Sequence, residues 1–96
     1  MLGLVVHFDV IEGKQAEFEA VLGEVTALVR KNEPGCELYS LARKRGSHTQ
    51  YAMIERFRDD AALATHQSAA YAQNARPRID ACLASKPTVE WLDVIE

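Results

Sequence analysis

The hydrophobic pattern of the first 35 residues changes its period once, and this change limits the folds that are open to the chain. Apolar side chains fill every second position from Leu2 to Val10, which is typical of a strand that buries one face. From Phe18 to Val29 they recur at steps of three and four residues, which is typical of one stripe along an α-helix. The Pro-Gly pair at 34–35 then ends the helix. These residues therefore predict a half-buried strand followed by an amphipathic helix.

Three further strands follow from the same kind of pattern. A second strand is expected over residues 36–43 and a third over residues 50–57. The polar segment 44–49 between them has the composition of a turn, so the two strands should form a hairpin. A last strand is expected over residues 88–95, after a proline.

Two helical segments are expected between the third and the last strand. Either aspartate at residues 59–60 can cap a short helix that ends near His66, by accepting from free backbone N–H groups. Ser68 can cap the next helix, which is expected to run towards Leu83. Pro77 lies inside that helix and must kink it or start a new segment, because proline lacks an N–H group and its ring clashes with the preceding turn.

The resulting order is β-α-β-β-α-β, and it indicates an α+β fold. Right-handed crossovers convert this order into a four-stranded antiparallel sheet with the helices on one face, the ferredoxin-like or split βαβ arrangement. A chain of 96 residues has room for one domain only, so the domain is expected to span residues 1–96.

The helix-free face of this sheet is also expected to carry apolar side chains. In the last strand Val89 and Trp91 alternate with Leu92 and Val94, so both faces of the strand are apolar. A large apolar patch left open to water usually marks an interface. We therefore expect a homodimer in which the two sheets pack face to face.

Composition limits the classes of partner and the compartment. The net charge of −3 gives no basic surface for nucleic acid. No apolar run approaches the ~20 residues that a membrane span needs. The first residues lack the basic region and cleavage site of a secretory signal, so we expect a cytoplasmic protein. Cys36 and Cys82 are expected to be free thiols in that compartment.

Two side chains that can exchange protons flank the connection after the third strand. Glu55 shares a strand face with Tyr51 and Met53, and a carboxylate there must be paired, hydrogen-bonded or beside a wet cavity. His66 follows Leu63 at helical spacing and can give or take a proton near neutral pH. We expect Glu55 and His66 to be catalytic residues lining one cavity. A structural carboxylate, or one in the dimer interface, and a helix-end histidine are the alternatives.

Three tyrosines and a second histidine are the candidate substrate-binding residues. The hydroxyl groups of Tyr39, Tyr51 and Tyr71 can orient a phenolic or carbonyl group, although such tyrosines also occur as core residues with one polar tip. His7 can reach the same pocket or lie in an interface. No two histidines or cysteines have the spacing of metal ligands, so no metal is expected.

The segment from Glu55 to His66 resembles the signature of the antibiotic biosynthesis monooxygenase (ABM) domain. That signature is a glutamate and an aromatic residue, here Glu55 and Phe57, then an acidic turn, an Ala-Leu pair ending at Leu63, and a histidine. The resemblance covers nearly the whole chain. It continues through Glu12-Gly13-Lys14, Glu33-Pro34-Gly35-Cys36, Tyr39, Ser68 and Tyr71.

The resemblance implies a dimeric α/β barrel with a pocket in each protomer. It also implies a cofactor-independent monooxygenase that acts on a quinol, a polyphenol or a similar small aromatic. In such an enzyme His66 would be the base or proton shuttle, Glu55 would orient it or bind a hydroxyl group, and Tyr71 would wall the pocket. The heme-degrading relatives carry an Asn in the first strand and a Trp near the motif, and this chain has neither.

Two other functions remain open at the level of the sequence. The autoinducer-2 phosphate isomerases of this fold show a similar pattern, and proton transfer in a phosphorylated hydroxyketone would use the same acid and base. The chain can also be a non-catalytic dimeric module that binds a small molecule, because a fold alone does not assign a function.

Overall fold

The computed structural model describes residues 1–95 and has the expected α+β architecture. Its four strands form one antiparallel sheet in the order β2-β3-β1-β4. The strands are β1 Leu2–Asp9, β2 Cys36–Arg43, β3 Gln50–Phe57 and β4 Thr88–Asp93, and the helices are α1 Gln15–Asn32, α2 Asp60–Ser68 and α3 Ala70–Asp80. The ferredoxin-like arrangement predicted from the sequence is confirmed.

The strand register decides which side chains meet the helices. Leu4 of β1 lies opposite Glu55 of β3 on one side and opposite Trp91 of β4 on the other. Tyr39 of β2 lies opposite Glu55 as well, so these four residues share one face of the sheet. On this face Leu4, Tyr39 and Glu55 are buried, whereas Ile54 on the opposite face is exposed. The helices therefore cover the face that carries Glu55.

The core lies between this face and α1. The stripe predicted from the sequence is buried except for Leu28, which is 37% exposed because it lies at the edge of the stripe. The buried residues are Phe18, Val21, Leu22, Val25 and Val29. The Phe18 ring packs against Phe8 and Tyr51, with ring centroids 5.1 and 4.9 Å away. Burial of each such side chain contributes about 1.5–3 kcal/mol, so this layer holds α1 on the sheet.

The connection after β3 agrees with the sequence at its start and differs at its end. Asp59 caps α2, because its side chain accepts from the Ala62 N–H at 2.8 Å. The expected cap at Ser68 is wrong: Ser68 is the last residue of α2, and its hydroxyl group donates back to the Thr65 carbonyl at 3.3 Å. The break between the helices is made by Ala69, whose backbone is extended.

Two other boundaries fall short of their expected positions. The helix α3 ends at Asp80 rather than near Leu83, because the next residues form tighter turns in which Cys82 N–H donates to the Ile79 carbonyl and Leu83 N–H to the Asp80 carbonyl. The strand β4 ends at Asp93, although the next N–H group, that of Val94, still donates to the Met1 carbonyl at 3.0 Å.

Other expectations concern the thiols and the membrane. Cys36 and Cys82 are free, as expected. Within residues 1–95, none of the helices combines the length and the apolar character needed to cross a bilayer.

The entry into β2 requires a glycine because α2 crosses it closely. A Cβ atom on Gly35 would lie 2.7 Å from the Cβ of Ala62, closer than two carbon atoms can pack. We expect Gly35→Ala to lower the free energy of unfolding by about 1–3 kcal/mol, the usual cost of overpacking. Urea unfolding at fixed protein concentration measures it.

The control for this substitution is Gly23→Ala in α1. Nothing lies within 4 Å of a Cβ at Gly23, so the alanine should stabilise the helix by about 0.5–1 kcal/mol. Equal unfolding midpoints for Gly35→Ala and the wild type would contradict the close crossing of α2.

Candidate functional site

A cavity of about 320 Å³ lies between the helix-bearing face of the sheet and the helices α1 and α3. Its walls are mostly apolar and include Phe8, Leu22, Met53 and Ile79. This volume lies at the lower end of the range for small-molecule sites. Tyr39, Glu55 and His66 also line the cavity. The charged side chains from α3 are Arg76 and Asp80, both exposed and one turn apart.

Glu55 is buried and has no hydrogen-bond partner within residues 1–95. Only 7% of its surface is exposed. Among the described residues the one fully enclosed side-chain nitrogen or oxygen without a partner is Nε of Arg56, so the Glu55 oxygens must reach the open space of the cavity. Burial, with a smaller contribution from the charge of Glu33, raises the pKa of Glu55 from 4.5 to about 7. Glu55 therefore changes its charge near neutral pH.

Tyr39 places a second unpartnered polar group beside Glu55. The two residues lie directly opposite each other on paired strands, where Cβ atoms are about 4.5–5.5 Å apart. The Tyr39 hydroxyl group makes no hydrogen bond with a described residue and, by the same reasoning as for Glu55, opens to the cavity. Burial and the neighbouring Glu55 raise the pKa of Tyr39 well above its usual range. At neutral pH the Tyr39 phenol is therefore a hydrogen-bond donor.

A second buried carboxylate, that of Glu33, forms a hydrogen bond with the ring of His66. Its Nδ1 lies 3.2 and 3.1 Å from the two oxygens of Glu33, whose side chain is 4% exposed. An ionised carboxylate only accepts hydrogen bonds, so Nδ1 carries the proton and Nε2 is the free nitrogen. Nε2 has no partner among the described residues and so reaches the cavity. The ring also packs against Tyr39 and Phe57, with centroids 5.2 and 5.5 Å away.

Glu33 joins three elements at this point. It is the C-cap residue of α1, and its N–H donates to the Val29 carbonyl. Its side chain accepts from His66 of α2 and also from the hydroxyl group of Tyr71 of α3. Burial and this hydrogen bond raise the pKa of Tyr71 above its usual range. The contacts extend over 33 and 38 residues of sequence, so they tie α1 to the connection that carries the histidine.

Glu33 belongs to the family-like segment Glu33-Pro34-Gly35-Cys36 but is not one of the site residues predicted from the sequence. A signal for it does exist. A negative charge at the C-terminal end of a helix is unfavourable, because the helix dipole already places negative charge there. A glutamate directly before the helix-ending Pro34-Gly35 pair therefore indicates a role outside the helix.

The predicted site residues are only partly brought together. Glu55, His66 and Tyr39 line one cavity, and Tyr71 lies behind His66 on Glu33. Tyr51 points to the other end of the sheet, where its hydroxyl group donates to Glu19 at 2.6 Å.

His7 lies on the helix-free face of the sheet, away from the cavity. Its Nε2 is 3.2 Å from a carboxylate oxygen of Glu90. A wider depression of about 500 Å³ includes His7 and Tyr51, together with the cationic Arg43 and Lys86. The polar groups of His7 and Tyr51 already have partners, so the smaller cavity with its unpartnered groups is the better candidate site.

Metal ligands are not clustered in the described chain. Within residues 1–95, no three histidine, cysteine, aspartate or glutamate side chains are arranged as a metal site.

Known structures share this fold over almost the full chain. A candidate antibiotic biosynthesis monooxygenase from Caulobacter crescentus CB15 is 34% identical with a TM-score of 0.95, over 99% of this chain and 90% of that one. PA3566 from Pseudomonas aeruginosa is 28% identical with a TM-score of 0.88, over 99% and 94%. Rv0793 from Mycobacterium tuberculosis, at 21% identity and a TM-score of 0.90 over 99% and 95%, shows the fold alone.

The family comparison agrees with these structures. No curated protein shows significant sequence similarity to the chain. The family model for antibiotic biosynthesis monooxygenase, ABM, matches residues 1–78. This match covers the motif from Glu55 to His66 and far more than half of the 96 residues. The chain therefore belongs to the antibiotic biosynthesis monooxygenase (ABM) family.

Proposed function

We propose that the protein is a monooxygenase that oxidises a small electron-rich aromatic, such as a quinol or polyphenol, without a bound cofactor. One observation carries this proposal. Three polar groups, the Glu55 carboxyl, the Tyr39 hydroxyl and Nε2 of His66, face a mainly apolar cavity and have no partner among the described residues. Buried polar groups are costly unless something satisfies them, so these three are suited to a ligand that carries oxygen on an apolar body.

The chemistry follows from how phenols react with oxygen. Removal of a phenolic proton gives an electron-rich phenolate that can reduce O₂ directly. One oxygen atom then enters the substrate and the other leaves as water, with the electrons for both supplied by the substrate. The protein has to bind the phenol, accept protons and exclude bulk water.

The residues of the cavity divide these tasks. His66 can accept a proton at Nε2, because Nδ1 is engaged with Glu33. Glu55, with a pKa of about 7, can accept a second proton near neutral pH. Tyr39 stays protonated and can donate a hydrogen bond to the oxygen that gains negative charge. The apolar walls keep the reactive intermediate away from water.

The cavity is less suited to a phosphorylated substrate. Glu33 and Glu55 are close enough for the charge of one to raise the pKa of the other. Arg76, the cation of the lining, is exposed and lies one turn from the opposite charge of Asp80. A phosphate group would thus meet like charge in the interior.

A substrate panel tests the proposed function. Purified protein is offered quinols, polyphenols and phosphorylated hydroxyketones while oxygen uptake is recorded. Uptake with a quinone product that has gained one oxygen atom from O₂ and lost two hydrogen atoms supports the proposal, whereas a quinol converted to its quinone without a new oxygen atom would contradict it. Isomerised product without uptake, or binding without turnover, would overturn it in favour of an isomerase or a binding module.

We also propose that two copies of the chain form a homodimer in which the helix-free faces of their sheets pack together, as expected from the sequence. Leu38, Ile54 and Leu92 lie on the helix-free face and are 42, 39 and 43% exposed. Together with the half-buried Val5 they form an apolar patch across all four strands. A second copy of the chain would remove this patch from water.

The dimer is expected to have a mass near twice 10.7 kDa by light scattering at micromolar concentration. Ile54→Arg should convert it into a monomer, because it places a charge in the apolar interface. The matched control is Leu28→Arg on α1, where the leucine is exposed to a similar extent, 37%. A soluble wild-type monomer would contradict this prediction.

The ionisation of Glu55 should appear in the stability of the protein. Its pKa is 4.5 when unfolded and about 7 when folded, so the folded state binds more protons in this window. The free energy of unfolding should therefore fall as pH rises from about 4.5 through 7, by roughly 3 kcal/mol in the wild type. Glu55→Gln should lack this loss, so its stability relative to the wild type should rise between pH 4 and pH 8.

Chemical denaturation at pH 4 and pH 8 measures the free energy of unfolding, and the control is Glu17→Gln, whose side chain is 56% exposed. Parallel profiles of unfolding free energy against pH for the wild type and Glu55→Gln would show that Glu55 does not titrate in this window.

The ionisation of Glu55 should also appear in the kinetics. With an active substrate, kcat/KM of the wild type should rise through pH 7, and Glu55→Gln should flatten that rise.

A further inference from the structure

We infer that Glu33, which does not line the cavity, is a positioning residue that fixes the His66 ring with Nε2 towards the substrate. This inference deepens the proposed function and rests on it for the reaction, but its structural content stands on the contacts of Glu33. Tyr71 has the same positioning role, because its hydroxyl group is the second hydrogen-bond donor to Glu33.

The buried carboxylate of Glu33 forms hydrogen bonds with two side chains, those of His66 and Tyr71. Both carboxylate oxygens lie within 3.2 Å of Nδ1 of His66, and the Tyr71 hydroxyl group donates to one of them. The side chains of Glu33 and His66 are 4 and 12% exposed, so water competes little for these bonds. An imidazole held in this way has one tautomer, because the carboxylate requires a proton on Nδ1.

The location of Glu33 argues against a purely helical role. It caps the C-terminal end of α1, where the helix dipole disfavours an anion. The N–H group, not the carboxylate, makes the capping bond to Val29. The side chain instead turns to His66 of α2 and Tyr71 of α3.

Glu33 has a second effect, on Glu55. Its charge is one reason that Glu55 holds its proton up to neutral pH. Neutralising Glu33 should therefore have two separable results. His66 should become a mixture of both tautomers, and Glu55 should ionise at lower pH. The charged and titratable groups around this cluster are Cys36 and Tyr39 of β2, Glu55 of β3, Arg58 and Asp59 of the following turn, His66 of α2 and Tyr71 of α3.

The experiment combines a spectroscopic readout with kinetics. Nitrogen-15 NMR of the histidine rings reports which ring nitrogen of His66 carries the proton, with or without a substrate. We expect the wild type to show the Nδ1–H form. In Glu33→Gln, whose amide can either accept or donate, we expect a mixture of both tautomers.

The kinetic arm uses the substrate identified by oxygen uptake. Glu33→Gln should lower kcat about 10-fold or more with little change in KM, since the residue acts through His66 and not on the ligand. The rise of kcat/KM near pH 7 should move to lower pH. Glu33→Asp keeps the charge and shortens the reach, so it should disturb the tautomer while leaving that rise in place.

The matched control is Glu19→Gln. Glu19 also accepts a hydrogen bond from a tyrosine hydroxyl, that of Tyr51 at 2.6 Å, but lies outside the cavity. Glu19→Gln should change neither the nitrogen-15 NMR signals of the His66 ring nor kcat. The inference is overturned if Glu33→Gln and Glu33→Asp both keep the wild-type tautomer and kcat.

The two proposals fail in different ways. If no aromatic substrate supports oxygen uptake, the proposed function fails, yet the His66 tautomer still reports on the role of Glu33. If uptake occurs and the tautomer is indifferent to residue 33, the monooxygenase remains and the positioning role is excluded.

Discussion

Two carboxyl groups, those of Glu33 and Glu55, are enclosed among residues 1–95, and the arrangement of the site depends on how each is accommodated. Burial of a carboxylate is unfavourable unless donors replace the lost water. Glu33 has such donors, from His66 and Tyr71, whereas Glu55 faces the cavity and has none among the described residues. The polar atoms of the first group are thereby satisfied within the protein, whereas the second group is left to exchange a proton.

This division follows from the fold. Glu55 lies on a strand whose neighbours Met53 and Phe57 are among the most buried residues of the protein, so its carboxyl group enters the interior with them. Glu33 lies where a helix meets the sheet and the α2 helix crosses close to Gly35. The close crossing brings His66 within reach of Glu33, and the packing of His66 on Phe57 keeps it there.

The strands and the main helix were predictable because each depends on a local pattern. The bounds of β2 and β3, most of the buried stripe of α1 and a cap at one of the two aspartates 59–60 follow from alternation, helical spacing and acceptor side chains. Ser68 had the right chemistry for a cap, but the extended backbone of Ala69 placed the break one residue later.

The partners of the site residues were harder to predict. The face on which Glu55 lies was open in the sequence, since both faces of β3 and β4 carry apolar groups, and only the packing of the helices decides it. The bond from His66 to Glu33 extends over 33 residues and depends on the angle between α1 and α2, which no local pattern encodes. The sequence therefore identified which residues can do chemistry, and tertiary packing decided which of them meet.

Trp91 gives this architecture a convenient optical property. It is the single tryptophan of the chain, it lies on the same sheet face as Glu55, and it is 57% exposed. Two strand spacings, about 10 Å, separate the backbones of the two residues. A change in the surroundings of this part of the sheet can therefore be followed by the intrinsic fluorescence of the unlabelled protein.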